Sequence, residues 1–600
     1  MSLPTLTTRR GNRGPRALQI AFTMLFVALL YLAAAPLFLI VASSFGGSID
    51  ALPLEAFSFS FFNFARTFGD PKLLQLLANT ATFTIGAVTI GVGGAIVFAW
   101  LIERSDLPCR RMIFVLILAP MVIPNMVYAM AWIQLLNPNN GMLNAALIAV
   151  RLGFIHVNGY SMPAMIFVQG MLMMSHAYLL IAAPFRMIDP SWEEQSEICG
   201  KSPLSTLRRI TIPVLKPALL AIVAFFTVVG METFDIPGTI GLPAQIHLFS
   251  TRIYGATHPD GGQLPDYGKA STLALMLVVF SYVLISIYRR QTRSSREFAT
   301  ITGRAFRSKR TALGPWRIPI FAAVMLMVCC TILLPIAELV WRSLIPFYVH
   351  PWLATSSLVS LNAYRTFVEN DIVSAIYNTA IVAITAALVT CVVGAATAWF
   401  VIRSPLPGRA RGSLSAIAFL PQAIPSVVIG LAVMFLYLSV PVPIYGTIWI
   451  IVVALITKYL AYSTASMMAA QIQISPELEE ASHLSGAGWF RTYRRISAPL
   501  IAPAFLSSFL WVCIQGIREL GTAIMLYSDK SQVLSTKVWN LWEGGYVAQA
   551  CAVGVVTILF LLVLLCLPQV LRAMRFATRR LLGWVVPQSM AINPVEGRAS

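Results

Sequence analysis

About twelve long apolar stretches constrain this chain more than any other feature of its sequence. Each can cross a hydrocarbon layer about 30 Å thick as a helix. Charged residues make up only 11% of the chain and hydrophobic residues 58%, whereas a soluble domain carries about 25% charged residues. We therefore predict an all-α integral membrane protein with spans at 17–44, 76–102, 112–135, 163–186, 213–236, 270–288, 318–342, 374–402, 414–437, 447–470, 500–526 and 547–570.

The net charge of +19 does not indicate a nucleic-acid partner. Basic residues stand in short runs between apolar stretches, as in membrane proteins, and not interleaved with aromatic residues on a soluble face. The eight cysteines lie in apolar segments or basic loops, so no disulfide framework is predicted. The lipid bilayer, and no nucleic acid, is the predicted surrounding.

The basic segments fix the predicted orientation. The segment 1–16, the linker 289–317 and the tail 572–600 are rich in arginine and fall on one side of a twelve-span protein. The positive-inside rule places that side in the cytoplasm. The opposite loops, such as 45–75 and 527–546, have no basic excess.

The chain is a tandem repeat. Asn79-Thr80-Ala81 recurs as Asn378-Thr379-Ala380, and Arg104 recurs as Arg403, both at an offset of 299; further along the offset is 286. We predict a first repeat at 17–288 and a second at 318–571, each with six spans. Because six is even, both halves enter the membrane from the same side and form a parallel pseudo-two-fold pair with a pathway between them.

The most informative repeat follows the fourth span of each half. Positions 286 residues apart share a pattern that predicts a short helix, a glycine with positive φ, a second short helix and a proline that opens the next span. Paired prolines also predict kinks in the third span of each half. The residues that carry the repeated pattern are Glu194, Gly200, Ile210 and Pro213, and Glu480, Ala481, Gly486, Ile496 and Pro499.

This spacing resembles the cytoplasmic motif of ABC-importer permeases, which reads Glu-Ala-Ala, three residues, Gly, nine residues, Ile, two residues, Pro. The first copy departs from it at Gln195 and Ser196, and the second at Ser482. The resemblance implies a type I importer permease in a bacterial inner membrane, with both loops acting as coupling helices. The implied partners are two ABC ATPase subunits and an extracytoplasmic solute-binding protein.

No ATPase is predicted within the chain. Gly200-Lys201-Ser202 lacks the earlier glycine of a phosphate-binding loop, because Gln195 stands there. No soluble segment carries a nucleophile elbow, paired catalytic carboxylates or metal-ligand spacing. The chain is therefore predicted to be a transport subunit that is not itself an enzyme and binds no cofactor, with ATP and Mg held by the partner ATPase.

Two charged residues lie close together in the fifth span of each half. An ionisable side chain inside a membrane is costly and by default marks a pathway. Glu232 and Asp235 are three residues apart and are predicted to share one helical face, and Arg518 and Glu519 occupy the equivalent span. In the permeases that this chain resembles, these spans line the passage. The alternative is that Arg518 and the acids form a buried structural pair, or that they lie near the outer interface of the membrane.

The substrate is only partly indicated. The linker Phe298–Arg304 and the Pro265–Gly268 segment resemble the ferric-iron subgroup of these permeases, and ferric ion prefers carboxylate oxygen. The layout also resembles permeases for thiamine, phosphonates and sugar phosphates, and no metal-binding residues are assigned. A rival class is an ion-coupled secondary transporter, in which intramembrane acids relay protons but the two repeated loops have no purpose.

Overall fold

The computed structural model describes residues 14–48, 58–259, 262–293, 310–353, 356–367, 371–440 and 442–583. These residues are overwhelmingly helical, and β-pairing among them is limited to two isolated bridges. The predicted all-α class is therefore confirmed. The predicted segments 1–16, 289–317 and 572–600 lie largely outside the described residues, which include 14–16, 289–293, 310–317 and 572–583 of them.

Within the described residues, ten single helices and two bent helix pairs are long and apolar enough to cross a membrane. We number them as spans 1–12 in chain order. They are Arg16–Ser44, Leu73–Arg104, Arg110–Met121 with Asn125–Leu135, Met162–Met187, Pro203–Glu232, Tyr267–Ile287, Gly314–Leu344, Ile372–Ile402, Gly408–Ala423 with Ser426–Ser439, Ile448–Ile472, Trp489–Arg518 and Val547–Cys566. The last helix itself continues to Gly583.

Spans 3 and 9 are broken, where the sequence predicts single helices with kinks. Their two arms meet at 98° and 113°. Pro124 and Pro425 cap the second arms. Proline has no N–H and disfavours a helical residue before it, and Ile424 is accordingly extended. Each of these spans is therefore a pair of arms and not one kinked crossing.

Spans 5 and 11 begin earlier and end earlier than predicted. The prediction that Pro213 and Pro499 open these spans is wrong, because the helix already runs through them from Pro203 and Trp489. A π-helical turn precedes each proline, at Leu207–Thr211 and Tyr493–Ser497. In a regular helix the N–H at the proline position would bond to the carbonyl four residues earlier, and proline lacks this N–H. In the π turn, carbonyls accept instead from N–H groups five residues later.

Both spans also stop short of the predicted ends. Helical geometry ends at Glu232 and Arg518, and the residues that follow are extended, with ψ of 136° at Thr233 and 113° at Glu519. The predicted shared helical face of Glu232 and Asp235 is therefore wrong, since the helix stops between them.

The first span of each half packs on the other half. Span 1 packs against span 9, and the C-terminal part of span 7 packs against the second arm of span 3. Leu32 and Thr331, 299 residues apart, lie in π-helical turns. The Leu32 carbonyl accepts from the Thr457 hydroxyl at 3.1 Å, and the Thr331 carbonyl accepts from the Tyr128 hydroxyl at 2.9 Å. The halves are thus interlocked by reciprocal exchange.

The two segments that join span 4 to span 5 and span 10 to span 11 lie on one face, because six crossings separate them. We call this the elbow face. Within each half, spans 2 and 4 or spans 8 and 10 form the tightest helix pair, with span 5 or 11 against them. This arrangement holds the start of span 5 beside the ends of spans 2 and 4.

The contact between spans 2 and 4 can be tested with two neighbouring glycines. A Cβ at Gly91 would lie 2.6 Å from the Cβ of Met173, whereas one at Gly93 would meet nothing within 4 Å. We expect Gly91→Val to lower the free energy of unfolding by about 1–3 kcal/mol through overpacking. Gly93→Val is the matched control and should keep the midpoint of thermal unfolding in detergent. Equal midpoints for the two variants would contradict the packing described here.

Candidate functional site

Each half carries one elbow, made of a short helix, a glycine and the first turns of the next span. The helices are Pro190–Ile198 and Pro476–Leu484. Gly200 and Gly486 follow them with φ of +71° and +83°, the left-handed conformation that the sequence predicts. Such a glycine ends a helix and turns the chain sharply. Both elbows are therefore sharp reversals of the chain.

A hydroxyl pair joins the two arms of each elbow. Ser196 lies 2.7 Å from Thr206, and Ser482 lies 2.9 Å from Thr492, between hydroxyl oxygens. Ser196 and Ser482 occupy the position of the second alanine in the motif of the resembled permeases. Each of these two serines is thus matched by a threonine ten residues later.

The elbow tips expose apolar side chains. Ile198 and its repeat equivalent Leu484 are 85% and 89% exposed, and Leu204 and its equivalent Phe490 are also exposed. Exposed apolar surface of this kind marks a contact surface. Of the predicted coupling residues, Glu480, Ala481, Gly200, Gly486, Pro213 and Pro499 are exposed, and Glu194, Ile210 and Ile496 are half-buried.

A buried arginine fastens the first elbow to the membrane spans. Arg104, at the end of span 2, donates from Nη2 to the carbonyls of Phe185 and Ile188 at 2.6 and 2.8 Å. Its Nη1 lies 3.4 Å from the Glu193 carboxylate. Glu193 in turn accepts from the Thr211 hydroxyl of span 5 at 3.1 Å.

The second elbow repeats this arrangement residue for residue. Arg403 donates from Nη2 to the carbonyls of Gln471 and Ile474 at 3.0 and 2.5 Å. Its Nε lies 3.8 Å from Glu479, which accepts from Ser497 at 2.7 Å. We call each of these sets an arginine clamp.

Sequence reasoning did not assign these residues a role. Glu193 and Glu479 stand one position before the motif glutamates and are themselves 286 residues apart. That repeated spacing, together with the recurrence of Arg104 as Arg403, is the signal by which the clamps could have been found.

The second part of the candidate site lies inside the membrane, where spans 5 and 11 end side by side. A Cβ at Gly521 would lie 3.6 Å from the Cβ of Phe234 and 3.7 Å from Glu519 Oε1. The predicted pathway residues Glu232, Asp235, Arg518 and Glu519 are all half-buried here. The structure thus brings all four to the ends of the two spans.

Lys458 of span 10 is the base that pairs with Glu519. Its Nζ lies 2.6 Å from Glu519 Oε2 and donates to the Ser426 hydroxyl at 2.9 Å. The Tyr459 hydroxyl also donates to Glu519, at 3.0 Å, and the backbone N–H of Thr522 donates to its other oxygen. Sequence reasoning missed Lys458 because nothing local places a lysine beside a carboxylate 61 positions later.

Arg518 reaches across to the break in span 3. It donates to the carbonyls of Met121 and Ile123 at 2.6 and 3.1 Å and to Asn125 Oδ1 at 2.9 Å. The amide nitrogen of Asn125 donates to Asp235 at 2.8 Å. Arg518 therefore touches Asp235 only through Asn125, and it satisfies carbonyls that the break leaves without helical partners.

The acids do not converge into a metal-binding cage. Among the described residues, no group of three or more His, Cys, Asp and Glu side chains could hold a metal ion. Glu232 has electrostatic neighbours in Lys458 and Glu519. In contrast to Asp235 and Glu519, it makes no hydrogen bond or ion pair that the described part of the chain supplies.

Comparison with known proteins gives several relatives. A ferric transport system permease protein of Actinobacillus pleuropneumoniae is 25% identical over 65% of this chain and 55% of its own length, so the chain spans about half of that relative. An Fe(3+)-transport system permease protein of Haemophilus influenzae is 22% identical over 82% of this chain and 88% of its own. A putative 2-aminoethylphosphonate transport system permease protein of Salmonella paratyphi A is 29% identical over 25% of this chain and 57% of its own.

A solved bacterial ABC transporter involved in the import of the acidic polysaccharide alginate is 17% identical, with a TM-score of 0.36 over 48% of this chain and 98% of its own. A family model described as the inner membrane component of binding-protein-dependent transport systems matches residues 91–297 and 391–579, one region in each half. These regions make up more than half of the sequence and include both elbows. The chain therefore belongs to the binding-protein-dependent transport system inner membrane components, the permeases of ABC importers.

Proposed function

We propose that this permease imports ferric iron. In this proposal an extracytoplasmic binding protein delivers the ion, and two separate ABC ATPase subunits drive its passage by acting on the elbows. The choice of a cation rests on the contacts of the intramembrane charged residues. Both bases, Arg518 and Lys458, bind other residues of the protein, whereas the acid Glu232 makes no hydrogen bond or ion pair among the described residues.

The two bases of the intramembrane cluster bind other residues of the protein. Arg518 is held by two carbonyls and Asn125, and Lys458 is held by Glu519 and Ser426. An anionic solute would have to break these contacts. Glu232 has no such partner among the described residues, and an intramembrane carboxylate is costly unless it serves a purpose. A hard cation that prefers carboxylate oxygen fits this arrangement.

The face opposite the elbows supports entry of the solute from that side. A cavity of about 570 Å³ opens there between the halves, with Gln134 and Gly238 on one wall and Trp539 on the other. The Trp539 ring lies 5.4 Å from that of Phe234, the residue before Asp235. The Tyr254 ring also packs on both, at 5.2 Å from Phe234 and 6.1 Å from Trp539, so an aromatic cluster joins the wall of the cavity to the segment that carries Asp235.

The elbow tips support the docking of a motor protein. Their exposed apolar residues recur at the same positions in both halves, so two copies of one partner can bind in the same way. We place the elbow face in the cytoplasm, together with both termini, because the basic segments lie on its side of the membrane. An ion-coupled secondary transporter would not use these paired surfaces.

A phosphonate importer is the second candidate, because a relative of that description matches a quarter of the chain. In that case Arg518 or Lys458 would leave its present partners to bind the anion. The two candidates therefore differ in the residue on which uptake depends. Import of ferric iron would depend on the acid Glu232, and import of a phosphonate on the base Arg518 or Lys458.

Docking on the elbows can be followed with native cysteines. Cys199 at the first elbow and Cys109 at the start of span 3 are both exposed. We expect the bound ATPase to reduce maleimide labelling of Cys199 at least five-fold, because it covers the elbow tip. Cys109 lies off the elbow and serves as the control within the same molecule. Mass spectrometry of the peptides that contain Cys199 and Cys109 measures the labelled fraction of each. Equal labelling of Cys199 with and without ATPase would contradict the docking proposal.

The shape of the second elbow can be tested at its glycines. Gly486→Val forces a left-handed φ on a β-branched residue, at a cost of about 1–2 kcal/mol or more. Iron uptake should be lost while the amount of permease in the membrane is unchanged. Gly488→Ser is the control, since Gly488 has an ordinary φ of −73° at a helix N-cap, where serine is favoured. Normal uptake by Gly486→Val would argue against a fixed elbow.

The choice of cargo can be tested at the acids. Glu232→Gln should lower uptake of labelled ferric iron at least ten-fold and leave the thermal midpoint unchanged, because this side chain has no hydrogen bond or ion pair to lose among the described residues. Glu519→Gln should instead lower stability by about 3–5 kcal/mol, since it leaves the Lys458 ammonium buried and unpaired. Full iron uptake by Glu232→Gln, or uptake of labelled 2-aminoethylphosphonate in its place, would overturn the iron proposal.

A further inference from the structure

We propose that Arg104 and Arg403 are positioning residues that make each elbow one rigid body with the membrane spans. The inference rests on the proposed function, because it assumes that a motor moves the elbows. It adds the side chains through which a movement of an elbow reaches the membrane spans. Without the clamps an elbow can swing on its glycine while the spans stay in place.

Each clamp joins four elements around one guanidinium group. In the first half these are the end of span 2, which carries Arg104, the end of span 4 with its Phe185 and Ile188 carbonyls, the elbow helix with Glu193, and span 5, whose Thr211 is bonded to Glu193. A guanidinium can face carbonyls and a carboxylate at once because its donors point in fixed, different directions. A lysine ammonium has no such fork.

The duplication is strong support for a mechanical role. All five members of the first clamp have counterparts in the second with the same types of contact. The hydroxyl is threonine in one and serine in the other, so the contact is retained where the residue is not. Retention of a contact through sequence change in the two halves indicates that the contact is what matters.

Burial gives the clamps their stiffness. The Arg104 side chain is 1% exposed and Glu193 is 11% exposed; the corresponding values for Arg403 and Glu479 are 12% and 15%. A buried pair loses much when one partner is removed, since a charge is left without compensation. The pair of Arg186 with Glu103, at 2.7 Å, is shorter, but its arginine is 58% exposed and neither residue belongs to the elbow helix. It is a matched control.

The two clamps are not equally braced. Thr311, just before span 7, exchanges backbone hydrogen bonds with Arg104 and Asp106, and Asp106 Oδ1 accepts from the Leu313 N–H. In the second half Pro405 stands at the position of Asp106 and offers neither the N–H nor the carboxylate. A cavity of about 440 Å³ lies beside Arg403 instead. The Arg403 clamp is therefore the one that can be altered with least effect on folding.

The test uses the complete complex of permease, ATPase and binding protein in proteoliposomes, with ATP hydrolysed and labelled ferric iron transported measured together. We expect Arg403→Gln and Arg403→Lys to raise the ATP hydrolysed per ion transported at least ten-fold while the complex still assembles. Arg186→Gln should leave this ratio unchanged. Arg403→Gln combined with Glu479→Gln should be no worse than either single change, because the pair acts as a unit.

The outcomes separate this inference from the proposed function. If the wild-type complex moves iron and the Arg403 variants keep its ratio of ATP to iron, the clamps are structural only and the inference is wrong, whereas the proposed function stands. If wild-type ATPase does not bind the permease or iron is not moved, the proposed function itself fails. A parallel fall of assembly and transport in Arg403→Lys, with an unchanged ratio in the complexes that do form, would also overturn the inference.

Discussion

The constraint on which this structure depends is the lack of water for backbone groups inside a membrane. A helix that breaks or loosens there leaves carbonyls that another part of the protein must satisfy. Arg518 serves the break in span 3, and Ser250 and Ser535 donate to the Thr233 and Glu519 carbonyls where spans 5 and 11 stop. Each of these three irregularities is thereby tied to a particular side chain.

The same constraint explains how the two halves are joined. The π-helical turns of spans 1 and 7 free carbonyls, and hydroxyls of the other half occupy them. Arg518 likewise belongs to one half and serves the other. Breaks in the spans are thus points of contact between the halves. A movement of one half therefore acts on the region in which the other half carries its charged residues.

The fold was largely predictable because apolar length, arginine distribution and repeat offset are properties of the sequence alone. The places where helices stop were not. Glu232 and Asp235 read as one helical face only while the helix is taken to continue, and Pro213 reads as a helix start only until a π turn is allowed for.

The partners of the charged residues were less accessible still. Arg518 binds residues 393–397 positions away, and Lys458 looks like an isolated lysine until span 10 is placed beside span 11. The elbow motif, by contrast, is local in sequence, and its glycines have the predicted conformation. Local geometry could be inferred from spacing, whereas long-range pairing depends on how the spans pack in three dimensions.

One feature of the intramembrane cluster bears on why both halves share a single polypeptide. The scaffold has pseudo-two-fold symmetry, but the charged residues do not follow it. The repeat equivalent of Asp235 is Gly521, and that of Glu232 is Arg518. Two copies of the first half would crowd four carboxylates together without Lys458 or Arg518, and two copies of the second would supply no counterpart of Asp235. Covalent fusion enforces a one-to-one stoichiometry, so every molecule is assembled as a mixed pair and never from identical modules.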